Sequence, residues 1–191
     1  MRRASGSTSR SGIPYVPDAA PGPEDVVAEI RARRPGGKLL NLDRMLLNSP
    51  SYAKGWNGLL RAIRGELSLP ARLRELVIVA IASLNGAAYE WAHHAKELLA
   101  AGGTRAELSR LRKVPAAAKD AKRFGEVERA ALTLTVEMTR DVKVKAATLR
   151  RVRKLLPEAQ VVELIGTIAA YNMVSRFIVA TGIELEEATR P

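Results

Sequence analysis

The sequence has 191 residues, enough for one domain with a hydrophobic core and too few for two large domains. Hydrophobic residues make up 47% of the chain and aromatic residues only 4%, a mixture that favours packed helices over a β-sandwich. There is no cysteine, which excludes disulfides, iron–sulfur ligation and thiol chemistry. The composition predicts an all-α protein.

The net charge of +11 comes from 31 basic and 20 acidic residues, and the basic residues are dispersed. They are enriched in three separate stretches, residues 31–34, 105–123 and 143–154. Neither a zinc-finger spacing nor an aromatic-rich RNA-binding strand motif accompanies them. A main role in nucleic-acid binding is therefore disfavoured, and an anionic substrate or a solvated basic surface is favoured. No apolar run approaches about 20 residues, so no membrane span is predicted.

Residues 1–13 are mostly small, polar and basic and contain no acid, which predicts a disordered tail. A single helical domain over residues 14–191 is predicted to follow. The tail is faintly like a mitochondrial presequence, but it is too short and too poor in apolar residues to form a convincing amphipathic helix. The absence of cysteine suits a reducing compartment, so the predicted location is cytoplasmic, with mitochondrial targeting as the alternative.

Three short helical segments are predicted before the centre of the chain. The first covers residues 24–33, the second 39–47, and the third runs from about 48 to 60 or 63. Ser68 is expected to cap the next helix and Pro70 to lie in its first turn.

The central stretch, RELVIVAIASLNGAAYEWAHHAKELLAAGG, starts at residue 74 and reads as two helices joined by Asn85 and Gly86. Between Leu76 and Ala82 the first helix is apolar on every side, as expected of a helix that is buried all round. Glu75 opens this apolar segment. A carboxylate in that position is costly unless it is paired, and burial raises its pKa. It is the least expected residue in the chain.

The second central helix carries Glu90 and His94 four residues apart, on the border between its polar and apolar faces. Trp91 continues from the His94 side into the apolar face. Glu75 can face this pair across the turn. Two carboxylates and an imidazole can transfer protons near neutral pH, because histidine titrates there and a carboxylate can be tuned towards it.

Four helices are predicted after the central pair. Thr104 and Glu107 form a capping box that begins the first, and Pro115 is expected to end it. The others cover residues 126–139, 145–156 and 158 to 180 or 181.

The run RELVI…NG-AAYEWAHH resembles the carboxymuconolactone decarboxylase and alkyl hydroperoxidase D superfamily, and the resemblance extends from about residue 14 to 187. The peroxidase branch of that superfamily has Glu, then Cys-x-x-Cys, then His. On this pattern Glu75 and His94 take the Glu and His positions, while Ala87 and Glu90 stand where the two cysteines would be. Thiol peroxidase activity is therefore not expected, and the chain looks like the thiol-free, decarboxylase-type branch.

The resemblance implies an all-α, alkyl hydroperoxidase D-like helical bundle without a cofactor, assembled as trimers or as hexamers built from trimers. It implies that the leading segment covers the active-site pocket, where Trp56 would contact the substrate together with Trp91. Tyr171 would donate a hydrogen bond there, and Arg176 would hold a substrate carboxylate. Alternatively, Trp56 packs in the core or an interface, and the polar side of the last helix packs against another subunit.

The residues leave several functions open. The first hypothesis is a cofactor-independent lyase or decarboxylase, or an isomerase, acting on a small carboxylated carbonyl or lactone compound, with Glu75, Glu90 and His94 as catalytic residues. The second is a non-catalytic or stress-related oligomeric binding protein that has lost the thiols. The three catalytic candidates also suit iron or manganese, but one histidine is a thin ligand set and no metal site is predicted.

Overall fold

A computed structural model describes residues 8–186 of the chain, which are 68% helical and contain no β-strand. The predicted all-α fold is confirmed. One 3₁₀ turn lies at Pro35–Gly37. The ten α-helices within residues 8–186 are α1 (Glu24–Ala32), α2 (Asn41–Leu46), α3 (Pro50–Gly65), α4 (Ala71–Asn85), α5 (Ala88–Ala100), α6 (Arg105–Leu111), α7 (Val114–Ala117), α8 (Glu126–Arg140), α9 (Ala146–Leu155) and α10 (Glu158–Thr181).

The described residues divide into two compact units. One comprises the residues up to Glu66 together with those from Ile178 onward, and the other is Leu67–Phe177. The predicted division into a tail over residues 1–13 and one domain over residues 14–191 stays a prediction. Residues 1–7 of that tail lie outside the described part, and in the remainder the Ser9 amide donates to the Ile13 carbonyl at 3.0 Å.

The first unit is held together by an ion pair at the start of α2. Arg34 donates to both carboxylate oxygens of Asp43, at 2.9 and 2.6 Å, and Asp43 also accepts from the Leu40 amide at 2.9 Å. Asp43 thus caps α2 while neutralising a nearly buried arginine. Trp56 belongs to this unit, where it is 4% exposed and its ring meets Tyr52 edge-on.

The second unit is built around α4, which packs against both α5 and α8. From Leu76 to Ile81 every residue of α4 is fully buried, as the apolar run predicts. Gly86 ends the helix with φ of +67°, a left-handed backbone angle that glycine adopts without strain. The chain then reverses into α5, so that α4 and α5 form the predicted helical hairpin.

Two predicted helix boundaries are wrong. Ser68 does not cap α4, because Pro70 occupies that position and the Ser68 amide and hydroxyl instead donate to Glu163, at 3.1 and 2.9 Å. Pro115 does not end α6, which stops at Leu111, but lies in the first turn of α7. A proline lacks the amide hydrogen that a first turn leaves unused, so it begins a helix as readily as it ends one.

Helix α10 runs for 24 residues and ends where predicted, before Gly182 with φ of +62°. By length and composition it is apolar enough to cross a membrane, whereas the sequence analysis predicts no membrane span. Half of its apolar window is buried inside the protein, however, and the core helix of a soluble protein meets the same criteria.

Candidate active site

The α4–α5 hairpin brings Glu75 and His94 into direct contact. The distance between Glu75 Oε2 and His94 Nδ1 is 2.7 Å, although the two residues are 19 positions apart. Glu75 is 5% exposed and His94 4% exposed. A carboxylate is stable at such a buried position only when it is paired, and the imidazole supplies the partner. The two residues form a buried carboxylate–imidazole dyad.

The second carboxylate oxygen of Glu75 is also occupied. Arg74 Nε donates to Glu75 Oε1 at 3.1 Å, so one carboxylate bridges a guanidinium and an imidazole. Burial on its own raises the pKa of Glu75, but hydrogen bonds and charge from His94 and Arg74 more than offset that effect and hold the pKa below its usual value. Glu75 is therefore an anion at neutral pH. Arg74 is not among the site residues predicted from the sequence, although it directly precedes Glu75 in the chain.

An ionised Glu75 determines how His94 can act. Because a carboxylate only accepts hydrogen bonds, the neutral imidazole carries its proton on Nδ1 and donates it to Glu75. The lone pair is then on Nε2, at the far side of the ring, where it can accept a proton. The carboxylate also stabilises the imidazolium that forms. This arrangement is that of a general acid–base histidine with an orienting carboxylate.

Tyr171 of α10 lies against the same imidazole. The two ring centroids are 5.1 Å apart with the planes at 89°, an edge-on contact, and Tyr171 is 1% exposed. Such edge-on pairs stabilise and orient both rings. The structure thus brings one of the predicted substrate-binding residues to the dyad.

Glu90 is 2% exposed and lies one helical turn before His94 on α5. Glu97, two turns after Glu90 on the same helix, is exposed. The polar face of α5 is therefore buried at its N-terminal end and solvated further along. The catalytic role of Glu90 remains a prediction.

Trp91 and Arg176 have partners of their own within the second unit. The guanidinium of Arg112 lies 3.7 Å from the centre of the Trp91 ring, a cation–π pair that the sequence pattern does not predict. Arg176 is exposed, and its Nη1 donates to the Asn172 carbonyl and side-chain oxygen at 3.0 and 2.8 Å. Asn172 in turn accepts from Asn85 at 3.1 Å. The substrate-binding roles of Trp91, Arg176 and Trp56 stay predictions.

Over residues 8–186, no cluster of three or more histidine, aspartate or glutamate side chains is arranged to hold a metal ion. The alternative iron or manganese site at Glu75, Glu90 and His94 therefore finds no support in the described geometry. The predicted independence from a cofactor remains a prediction.

Residues 50–137 match the model of the carboxymuconolactone decarboxylase family. This span contains Glu75, Glu90 and His94, and ends before Tyr171. No curated protein matches the sequence. Over these residues, a little under half of the chain, the sequence is similar to that family, and it contains no cysteine.

Solved structures of this superfamily's fold align with almost the whole chain. An uncharacterised peroxidase-related protein from Silicibacter sp. TM1040 aligns with a TM-score of 0.76 at 16% identity, over 98% of this chain and 97% of its own. A second such protein, from Ralstonia eutropha JMP134, aligns with a TM-score of 0.74 at 16% identity over 91% and 92%. A cysteine-to-alanine variant of the debrominase Bmp8, bound to 2,3,4-tribromopyrrole, aligns with a TM-score of 0.71 at 20% identity over 100% and 95%. At these identities the likeness establishes the fold alone.

Proposed function

We propose that this protein belongs to the carboxymuconolactone decarboxylase and alkyl hydroperoxidase D superfamily and is a cofactor-independent acid–base enzyme, a lyase or decarboxylase or else an isomerase. Its proposed substrate is a small carboxylated carbonyl or lactone compound. The observation that carries the proposal is the 2.7 Å contact between Glu75 and His94 inside the protein. A buried imidazole whose Nδ1 is held by an anion is suited to moving a proton through Nε2 at neutral pH.

In a decarboxylation, the carbon–carbon bond to the departing CO2 breaks and its electron pair passes to the neighbouring carbonyl, which becomes an enolate. The enolate carbon then takes a proton from His94 Nε2–H, and the neutral imidazole is left behind. In an isomerisation, Nε2 first removes a proton from a carbon beside the carbonyl and returns it to a different atom. Glu75 stays ionised in both and stabilises the imidazolium.

Two further observations support this reading over the peroxidase reading of the superfamily. With no cysteine in the sequence, no sulfenate or disulfide can form, so thiol-based peroxide reduction is not proposed. The fold also holds a small ring compound in the Bmp8 structure. The proposal follows the dyad that this chain has and the thiols that it lacks.

The test is proton exchange into small compounds in deuterated water. Keto acids and carboxylated lactones are incubated with the protein, and NMR records loss of carbon-bound protons beside the carbonyl and formation of CO2. Exchange or CO2 release is expected with the wild type and not with His94→Ala. His93→Ala is the matched control, since it removes the adjacent histidine of the same helix and leaves the dyad intact. Saturable binding with neither reaction would instead favour the alternative, a non-catalytic binding protein.

We also propose self-association, which the superfamily resemblance implies. It is supported by an exposed row on α10 with helical spacing, in which Val162 is 69% exposed and Gly166 and Ala169 are also exposed. Light scattering is expected to report a mass that is a multiple of 20.7 kDa. The variant Ala169→Asp places a charge in the row and is expected to shift the mass downward. A wild-type monomer at micromolar concentration would contradict the proposal.

A further inference from the structure

The guanidinium of Arg74 has hydrogen-bonding capacity left over beside the dyad. Its Nε donates to Glu75 Oε1, and over residues 8–186 its two terminal nitrogens have no partner. The side chain is 17% exposed, so the group is mostly enclosed and still reachable from solvent. An arginine presents five N–H donors in a planar fork, and the fork edge formed by Nη1 and Nη2 matches a carboxylate with two parallel hydrogen bonds.

Another arginine of the same helix, Arg72, has hydrogen-bond acceptors at all three of its side-chain nitrogens. Arg72 bonds to Glu128 through Nε at 2.8 Å, to Glu107 through Nη2 at 2.7 Å and to the Gly102 carbonyl through Nη1 at 2.7 Å. Arg72 therefore binds two carboxylates at once. Arg74 binds one carboxylate through Nε, so by the same pattern it has room for a second.

We infer that Arg74 binds the carboxylate of the substrate and so places the substrate next to His94. Glu75 joins the two residues, because one of its oxygens contacts Arg74 Nε and the other contacts His94 Nδ1. A small molecule anchored at the free fork edge would be held by the guanidinium that Glu75 links to the imidazole. This inference deepens the proposed function, on which the identification of the bound carboxylate as a substrate group rests.

The same contact restricts which carboxylate is bound. An ion pair with a guanidinium stabilises a carboxylate more than it stabilises the transition state in which that group leaves as CO2, so the pair would slow the loss of the group that it holds. The carboxylate at Arg74 is therefore one that the product retains. A substrate that loses CO2 here carries a second carboxylate, whereas one carboxylate is enough for an isomerisation.

Arg176, the sequence-based candidate for this role, is the matched comparison. It is also an arginine of the second unit, but its Nη1 is directed to Asn172 by two hydrogen bonds. Arg74 is hydrogen-bonded to the Glu75–His94 dyad, whereas Arg176 is hydrogen-bonded to Asn172. Replacing each arginine by glutamine therefore separates a specific anion site from a general loss of positive charge.

The experiment is an NMR titration with levulinate, a small keto acid, and with its neutral methyl ester. The chain has only two histidines, so two imidazole Cε1–H signals are observed, and the signal missing in His94→Ala belongs to His94. Levulinate is expected to shift the His94 signal saturably in the wild type and in Arg176→Gln, and the ester is not. In Arg74→Gln the dissociation constant is expected to rise roughly ten- to a hundredfold, as on loss of hydrogen bonds between charged groups.

Two more variants distinguish direct binding from an effect through Glu75. In Glu75→Gln the competing anion is gone and Arg74 remains, so levulinate is expected to bind at least as tightly as in the wild type. In Arg74→Lys the charge remains and the fork is lost, so the affinity is expected to lie between those of the wild type and Arg74→Gln. If circular dichroism shows that Arg74→Gln does not fold, Arg74→Lys replaces it in the titration. Equal binding by Arg74→Gln, a loss in Glu75→Gln as large as in Arg74→Gln, or no saturable binding by the wild type would each overturn the inference.

The outcomes of this titration and of the exchange test are separable. Carboxylate binding that depends on Arg74, in a protein that exchanges no proton with any compound, would refute the proposed function and leave the anion site standing. Exchange that depends on His94, with binding unaffected by Arg74→Gln, would refute the anion site and leave the function standing.

Discussion

Two ion-pair clusters lie two residues apart on α4 and differ in what they leave unused. Arg72 contacts two carboxylates and a backbone carbonyl, and all three of its side-chain nitrogens are engaged. Arg74 contacts one carboxylate through a single nitrogen, and that carboxylate passes on to an imidazole. In the Arg72 cluster every side-chain nitrogen of the arginine is hydrogen-bonded. The Arg74 cluster instead includes an imidazole, which can take up and release a proton.

The partners of Arg72 explain why its cluster is structural. Glu107 accepts from the Thr104 amide at 2.8 Å and caps the start of α6, and Glu128 accepts from the Gly125 amide at 2.8 Å and caps the start of α8. Arg72 thus fastens two helix N-termini to α4. Its hydrogen bond with Glu107, together with the charges of both carboxylates, outweighs partial burial and raises the pKa of Arg72 above its usual value.

The contrast indicates how a helix can carry both stability and chemistry. Carboxylates that are fully used by donors fix the fold, whereas a carboxylate that holds an imidazole orients a group that can transfer protons. Substitutions in the Arg72 cluster are therefore expected to change stability, and substitutions in the Glu75–His94 dyad to change activity. The following predictions test that separation.

The largest effect is expected from His94→Ala. Removing the proton-transferring group is expected to lower the rate of exchange or turnover by about 10²- to 10⁴-fold, the usual contribution of general acid–base catalysis. Helicity by circular dichroism is expected to stay at the wild-type value. A rate within threefold of the wild type per folded molecule would remove the imidazole from the mechanism.

Glu75→Gln is expected to follow closely. Glutamine keeps the shape and some of the hydrogen bonds, but it cannot stabilise the imidazolium, so activity is expected to fall by roughly 10²-fold or more. If Glu75 were only a structural member of the ion pair, the variant would lose stability, by about 3 kcal/mol for a broken buried pair, and keep its activity. Thermal midpoint and rate per folded molecule, measured on one preparation, separate the two readings.

Arg72→Gln is the converse variant. It leaves Glu107 and Glu128 without their shared guanidinium, so the free energy of unfolding is expected to drop by about 2–3 kcal/mol, with activity per folded molecule unchanged. Urea denaturation followed by circular dichroism measures the drop. A loss of activity without a loss of stability would contradict the structural role of the Arg72 cluster and indicate a role in activity instead.

The smallest expected effect is on the stability of the fold at low pH. The hydrogen bonds from Arg72 and Thr104 outweigh burial and hold the pKa of Glu107 below its ordinary value of 4.5, and the pKa of Glu75 is also lowered. Each carboxylate therefore stabilises the fold fully above about pH 4.5 and loses that contribution as the pH falls through its lower folded-state pKa. Glu107→Gln is expected to weaken the acid dependence of the thermal midpoint. An unchanged acid profile would show that other carboxylates control acid unfolding.

Much of the fold could be predicted from the sequence. The all-apolar run before Asn85–Gly86 predicted a buried helix, a turn and a second helix, and the structure has all three. The capping box at Thr104 and the stop at Gly182 were also predicted correctly. These features depend on residues within a few positions of one another, so the local sequence is sufficient to specify them.

One of the two wrong helix boundaries failed because a distant residue competed for a local partner. Ser68 has the chemistry of a helix cap, but its hydroxyl and amide are taken by Glu163, which lies 95 positions away. Helical periodicity states which face of its own helix a residue occupies. It does not state which residue of another helix will meet that face.

The candidate site was also predicted only in part from the sequence. The sequence alone singled out Glu75 as an acid in an apolar segment and placed His94 on the border of the next helix. Only the tertiary structure determined that these two side chains meet at 2.7 Å, where α4 packs against α5. It also determined that the Tyr171 ring of α10 contacts the imidazole. The contact between Arg74 and Glu75 likewise depends on the tertiary structure. Neighbouring side chains on a helix point about 100° apart, and a long arginine side chain can bend towards either side of the helix. A buried charge makes a residue conspicuous in the sequence, but its partner is chosen by the geometry that buries it.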